Sequence, residues 1–581
     1  MTKSLALKGW ILGVIAILTF LPFGMSNIMV AMASILLIPE LAKEDYTVDK
    51  WKEFLKIIIT CTILSFFAST FTFNIYIGSI ATFIIAFYIY YKYTYEDRES
   101  QSMIFMIYYI LILSIPMPKG ELTLRMGATI YGAALAMALY LLVFKLDFIK
   151  LGNIKIEKSR EYLNKAIENK LKNKNSDEEF MLALKEIQDG EDMLIKKSEK
   201  ARCDKFKIGE KIITIDLIKS IGWTLYKTNN MDILEKIIKI IEDCYKFYNG
   251  ESNIEELKGK FSKVFLELKE ENNMNLIKSV FDEFCIVYKE LNKEKGYEEL
   301  LEKKREILKK YSREFNLNYK LKFSMKSIKF NTAIKGAIIN TIAVFIVFYF
   351  NIPEGRWILY TITVVYLPFA EQSVKKLMQR VFGTAIGFIV FDILLSISQN
   401  TIYVCVLVLI SLYFSIYMID YGKRAIFITY TGIASQFIMY KHQNYYMLSF
   451  YRIGYVILGA IIAFLVIKYI YPINFKNSIK DIFYKYKSLN INILENLNWG
   501  KDVEMSYEDI IIVNRYMYIK SSFINKYAKN ELLTKVMRYE SYIVGEYKNI
   551  SRLKEKFNVE DESIVLKDIV NTFLELEDEI N

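Results

Sequence analysis

Long apolar runs constrain this chain more than any other feature. They gather in two blocks, about 9–145 and 332–471, while charged residues gather in 146–330 and 473–581. Several runs reach the roughly 17–25 residues that a helix needs to cross a bilayer core. Inside that core the backbone has no water to bond to, so a spanning segment closes its hydrogen bonds within itself or within a closed barrel. The period-2 alternation of barrel strands is absent, and the expected fold is an all-α polytopic membrane protein. The charged regions also read as helical. All seven prolines (Pro22, Pro39, Pro116, Pro118, Pro353, Pro368 and Pro472) lie in or beside the apolar blocks. Runs such as DILEKIIKIIEDCYKF and IEELKGKFSKVFLELKEE repeat apolar residues at three- and four-residue steps.

The chain divides into four regions. Residues 1–145 form a first transmembrane repeat and 146–330 a helical domain; 331–472 form a second transmembrane repeat and 473–581 a C-terminal helical domain. Spans are predicted near 9–23, 25–42, 54–70, 73–92, 102–116 and 124–145, then 332–350, 357–370, 380–398, 401–419, 424–440 and 451–471. MTKSLALKGW leads into the first span without a small-residue cleavage site, so it reads as part of a membrane helix rather than a removed signal. With the N-terminus in the cytoplasm, inner loops carry twelve Lys and Arg residues. Outer turns carry five: Lys119, Arg125, Arg356, Lys441 and Arg452. That bias places both termini and both helical domains in the cytoplasm.

The two blocks are related by one offset of 327 residues. Ala6, Lys8, Gly9, Ile15, Ala16 and Phe23 match Ala333, Lys335, Gly336, Ile342, Ala343 and Phe350. Arg125, Gly127, Gly132, Ala133 and Ala136 match Arg452, Gly454, Gly459, Ala460 and Ala463 at the same offset. Charged residues falling together with glycine are a stronger sign of duplication than apolar similarity. An even number of spans in each half makes the repeats parallel, an arrangement in which two halves flank a central pathway.

Several chemistries are excluded. The only histidine is His442, in KHQNYY, which removes His-based triads and His-rich metal sites. Cys61, Cys203, Cys244, Cys285 and Cys405 form no C-x2-C pair, and no phosphate-binding G-x4-G-K-[ST] loop occurs. No metal, no cofactor and no enzymatic constellation is expected. The net charge of +11 reflects Lys and Arg collected on one membrane face rather than a nucleic-acid partner, for no nucleic-acid motif accompanies it. The expected partner is the lipid bilayer, with a homo-oligomer left open.

Candidate pathway residues are polar groups in or beside the apolar spans. Arg380 suits an anion at the cytoplasmic mouth, because a guanidinium pairs bidentately with a carboxylate. Its bland alternative is a basic anchor that snorkels to the headgroups. Asp392, about twelve residues into the span predicted to open at 380, is a candidate proton-carrying carboxylate, or else sits nearer the outer interface with a local partner. Arg125 and Arg452, symmetric at the outer ends of the last spans, would flank an exit path or serve as anchors. Thr361, Thr363 and Tyr366 would bond a substrate beside Pro368, or else satisfy neighbouring helices. Gly383, Thr384 and Gly387, with Gly127, Gly132, Gly454 and Gly459, read as small residues that let helices approach closely. Trp10, Trp51 and Trp357 read as interface anchors.

The stretch WILYTITVVYLPFAEQSVKKLMQRVFGTAIG at 357–387 sets W-x3-T-x-T-x4-P before a short basic link and R-x2-G-T-x2-G. This arrangement, preceded by SIKFNTAIKG, resembles the fusaric-acid-resistance and aromatic-acid-exporter (FUSC-type) family of membrane transporters. The resemblance is clearest over 325–472. The first half keeps Lys8, Gly9 and Pro39 but has no R-x2-G-T-x2-G in its link at 43–60. Members of that family are inner-membrane exporters of aromatic and other weak organic acids, and plant relatives act as anion channels. The resemblance therefore implies a multi-pass protein of a bacterial-type cytoplasmic (inner) membrane that moves organic anions. Proton-coupled efflux leads. A passive anion channel and a membrane scaffold or sensor with partner-binding helical domains are the alternatives.

Overall fold

The computed structural model describes residues 50–95, 99–114, 120–144, 148–172, 176–200, 205–227, 231–267, 272–293, 327–418, 420–439, 445–497 and 505–537, with isolated positions in 21–37, 299–325 and 540–571. Every regular element among the described residues is helical. The chain separates into two compact units, each made of two stretches of sequence. One combines Met1–Leu146 with Lys322–Ser478; the other combines Asp147–Leu321 with Ile479–Asn581.

The first unit holds the apolar helices. From the first block these are α1 (Lys50–Ser69), α2 (Ile75–Tyr93), α3 (Ser102–Leu113) and α4 (Leu122–Leu139). A 3-10 turn at Thr70–Thr72 divides α1 from α2, and the Asn74 side chain caps α2 by accepting from the backbone N–H groups of Tyr76 (2.8 Å) and Ile77 (3.2 Å). The predicted 54–92 hairpin thus turns at a polar cap. The predicted spans at 9–42, with Lys8, Gly9 and Trp10 beside them, lie mostly outside the described residues, as do His442 and Cys203.

The charged unit supplies α5 (Phe148–Leu171), α6 (Asp177–Lys200), α7 (Lys205–Lys227), α8 (Met231–Asn249), α9 (Ile254–Glu267) and α10 (Asn272–Leu291). The second apolar block then supplies α11 (Ile328–Tyr349), α12 (Arg356–Val365), α13 (Ala370–Ile397), α14 (Thr401–Tyr417), α15 (Tyr421–Met439) and α16 (Tyr445–Tyr469). Helix α12 stops early because Pro368 drives the residues before it toward extended backbone; Tyr366 already has ψ 106°. Helix α13 differs from expectation. The basic link Lys375–Lys376–Arg380 is not a loop but lies in the first three turns of a 28-residue helix. Lys, Gln, Met and Arg are good helix formers, and charge alone does not break a helix. Among the described residues, five helices are long and apolar enough to cross a membrane: Ile75–Tyr93, Leu122–Leu142, Ile328–Tyr349, Ala370–Ile397 and Phe450–Tyr469.

Packing within the apolar unit is close where residues are small. A Cβ on Gly336 would lie 2.5 Å from the Tyr90 ring, so this ring of α2 seats directly on the α11 backbone. Tyr90 also stands edge-on to Tyr366 at 5.2 Å. The incoming and outgoing helices of the second block are tied together: Lys335 Nζ and Asn331 Nδ2 both donate to the carbonyl of Tyr471, at 3.0 and 3.3 Å.

The charged unit is an amphipathic helical assembly. Beside α5 to α10 it contains most of α17 (Phe475–Leu497) and all of α18 (Tyr507–Ala528). Helices α5 and α6 cross where a Cβ on either Gly152 or Gly190 would lie 3.1 Å from the other's carbonyl oxygen. Glu186 on α6 joins them further, forming an ion pair with Lys155 (2.7 Å) and accepting from Lys158 (3.0 Å). The unit's two stretches are locked by polar contacts. Tyr311 donates to Asp509 Oδ2 at 2.8 Å, and Asp509 forms a capping box with Ser506 at the start of α18. Arg515 on α18 pairs with Glu191 of α6, whose side chain is 1% exposed.

Candidate functional site

Helices α12, α13, α15 and α16 enclose a set of buried polar groups in the second half of the apolar unit. Arg452, near the start of the apolar part of α16, is the largest. It is fully buried, and none of its Nε, NH1 and NH2 atoms has a hydrogen-bond partner among the described residues. Its guanidinium carbon lies 3.5 Å from the centroid of the Trp357 ring on α12. This stack is a cation–π contact, worth about 2 kcal/mol when desolvated. It covers a face of the guanidinium and leaves the N–H edges unbonded.

Room for the guanidinium comes from α15. A Cβ on Gly432 would lie 2.4 Å from Arg452 NH1, so no larger residue fits there without moving it. One turn earlier, Thr429 is fully buried with an unbonded hydroxyl. It faces Gly387 of α13, where a Cβ would meet Thr429 Cβ at 2.9 Å and the Ile426 carbonyl at 2.7 Å. Gly383 packs likewise against Ala425 and the Gly422 carbonyl. Small residues thus bring α13 against α15 and carry Arg380 and Thr384 inward on α13. Arg380 is 4% exposed and Thr384 1%, and the Nε of one and hydroxyl of the other lack partners. Arg380, Glu354 and Arg356 all lie near enough for their charges to bear on Arg452.

Glu354 does not bond to Arg452. Its carboxylate accepts from Arg356 Nε (3.1 Å) and NH2 (2.6 Å), and from the Trp357 indole N–H (3.0 Å). A carboxylate held this way neutralises Arg356 and orients the indole. Arg452 is therefore left without a bonded carboxylate among the described residues, at a fully buried position. That is the condition for binding an anion.

The other predicted pathway residues are placed differently. Thr361 donates to the Trp357 carbonyl at 2.8 Å, beside Gly459 of α16, where a Cβ would meet the Ile358 carbonyl at 2.9 Å. Thr363 turns toward α11 and donates to Asn340 Oδ1 at 3.0 Å; Asn340 in turn donates to Tyr90 and to the Gly336 carbonyl. Tyr366 donates to the Thr332 carbonyl at 2.9 Å. Asp392 is half-buried on α13, five residues before its end at Ile397 and roughly 18 Å along the helix from Arg380. Arg125 is 2% exposed, and its Nε donates to Asn27 Oδ1 at 3.1 Å. Gly132 is buried in α4, and a Cβ on Gly127 would reach only Phe23 among the described residues, at 3.8 Å. Gly454 faces open space: nothing among the described residues lies within 4 Å of where its Cβ would stand.

Three contributors are not evident from sequence. Trp357 is a stacking platform within the protein, Glu354 is its orienting carboxylate, and Gly432 is the gap that admits Arg452. A signal for Glu354 exists, since the 327-residue offset sets it opposite Asn27. Gly432 has none, being a lone glycine inside a helical run.

Residues 342–466, which contain this site, match the family model described as fusaric acid resistance protein-like. Searches of curated proteins and of solved structures returned no match.

Proposed function

We propose that the chain is an integral membrane transporter that exports organic anions, aromatic and other weak acids among them, and that the anion passes the buried arginines of the second half. The single observation behind this reading is Arg452: fully buried, unbonded at every nitrogen and held flat against Trp357. A protein that needed this cation only as a strut would give it a carboxylate, because an unpaired buried charge is costly. An anion of matching geometry removes that cost when it binds and restores it when it leaves. The family match over the same residues supports transport as the class of activity.

In this reading the twelve spans form two parallel six-helix repeats in a bacterial-type cytoplasmic membrane. Both termini and both helical stretches face the cytoplasm, and efflux draws on the proton gradient. The test is efflux of labelled 4-hydroxybenzoate from energised cells expressing the chain, with and without a protonophore. Protonophore-sensitive efflux that disappears in Arg452→Ala supports the coupled exporter. Efflux that persists without the gradient makes the protein a passive anion channel. Cells that retain every acid offered, with the protein present in the membrane, would defeat the transport reading.

A further inference from the structure

We propose that Glu354 is a positioning residue that keeps the arginine of the second half open to an anion, and that the first half has lost the equivalent site. This inference rests on the anion-transport reading and deepens it.

The 327-residue offset pairs Asn27 with Glu354 and Arg125 with Arg452. The backbone supports the pairing locally: Gly24 has φ +82° and its counterpart Asn351 has φ +47°, so both turns use a left-handed residue at the same place. Beyond the turn, the two halves part company. In the first half Asn27 Oδ1 accepts from Arg125 Nε at 3.1 Å, and Asn27 Nδ2 donates to the Phe23 carbonyl at 2.8 Å. The amide is thereby fixed with its oxygen toward the arginine. In the second half the longer Glu354 side chain bends to its own succeeding residues and accepts from Arg356 and Trp357, and Arg452 receives an indole face instead of an acceptor.

The rest of the site changes with it. At the same offset Val30 stands for Trp357, Met29 for Arg356, Phe105 for Gly432 and Glu53 for Arg380. The first half therefore lacks the platform, the gap and the second cation. Val30 and Phe105 are buried apolar residues, at 1% and 2% exposed, and the Phe105 ring stacks on Tyr93 at 4.2 Å. One half anchors its arginine and the other presents it. The ligand this favours is a monovalent carboxylate carrying a flat apolar body. Its oxygens match the N–H edges of Arg452, and its ring can extend the Trp357 stack. Solvent does not reach the Arg452 nitrogens in this structure, so such a ligand enters when these helices part.

The test uses the full chain purified in detergent, with benzoate as the probe and binding followed by calorimetry and by tryptophan emission. The unaltered chain is expected to bind one benzoate. Glu354→Asn installs the first-half residue, whose shorter reach frees Trp357 and turns an amide oxygen toward Arg452; affinity is expected to fall about tenfold, a change of about 1.4 kcal/mol. Glu354→Gln keeps the length and an acceptor for the indole N–H, and is expected to restore most of the affinity. Equal melting temperatures for the two variants separate positioning from simple loss of fold. Two benzoates per chain, wild-type affinity in Glu354→Asn, or no benzoate binding by the unaltered chain would each overturn the proposal. Intact binding beside absent efflux would instead defeat the transport reading and leave this one standing.

Discussion

The guanidinium of Arg452 lies flat against Trp357 at 3.5 Å, while Glu354, the carboxylate nearest in sequence to that ring, bonds the edge of the indole and not the arginine. The ring is thus held at its edge by an anion and covered on its face by a cation. Arg452→Lys tests whether shape or charge matters here. An ammonium keeps the charge but loses the flat face and the forked donors. Anion efflux in Arg452→Lys is expected to fall about as far as in Arg452→Ala, at least tenfold (about 1.4 kcal/mol). Efflux near wild type in the lysine variant would mean that charge alone suffices.

Glycines supply a graded test of the same pocket. Gly432→Ala places a methyl 2.4 Å from Arg452 NH1 and is expected to displace the guanidinium and weaken anion binding. Gly387→Ala meets the Ile426 carbonyl at 2.7 Å and is expected to separate α13 from α15, at about 1–3 kcal/mol of overpacking. Gly454→Ala enters open space and is expected to leave both stability and binding unchanged. Thermal unfolding and benzoate titration of the three variants check the order.

Thr363 tests a division of labour between neighbouring threonines. Its hydroxyl serves Asn340, which also bonds Tyr90 of the first block. Thr363→Val leaves the Asn340 oxygen buried without a donor, at about 1–3 kcal/mol. The expected result is a lower melting temperature with unchanged affinity per folded molecule. A loss of affinity without a loss of stability would return Thr363 to the pathway.

In the charged unit, Glu186 sets an acid limit. Burial disfavours its charge, but hydrogen bonds from Lys155 and Lys158 outweigh burial and hold the carboxyl below its ordinary 4.5. A group depressed in the folded state adds stability above its unfolded value and loses it as pH falls through the folded one. Acid unfolding followed by circular dichroism should therefore begin at higher pH in Lys158→Met than in the unaltered chain. Identical acid transitions would show that this pair contributes nothing.

Much of the architecture is legible in the sequence, because apolar runs, helical periodicity and proline placement are local signals. The basic link departs from expectation for a physical reason. Pro368 ends α12, and the charges after it resemble a loop, yet Lys375 to Arg380 are strong helix formers that continue inward until Arg380 is buried. The motif around Gly383 and Gly387 reads as close packing, and the carbonyls opposite them set the contact. The partners of Arg452 are not legible, since which face of which helix meets Trp357 depends on tertiary crossing. Asn27 and Glu354 differ by one methylene and a charge, and only geometry reveals that one caps an arginine and the other turns away.

The Glu191–Arg515 pair carries a consequence for how the molecule is made. Its partners are separated by about 320 residues of chain, the whole second apolar block among them. At synthesis rates of about 5–20 residues per second, Glu191 waits roughly 15–65 s for its guanidinium. Over that interval the first helical stretch has neither Arg515 nor Asp509, the acceptor of Tyr311, and its matching surfaces stay open while membrane helices are still being inserted. Nascent chains halted before residue 505 should therefore be cut by protease within 147–321 at sites that the finished protein protects.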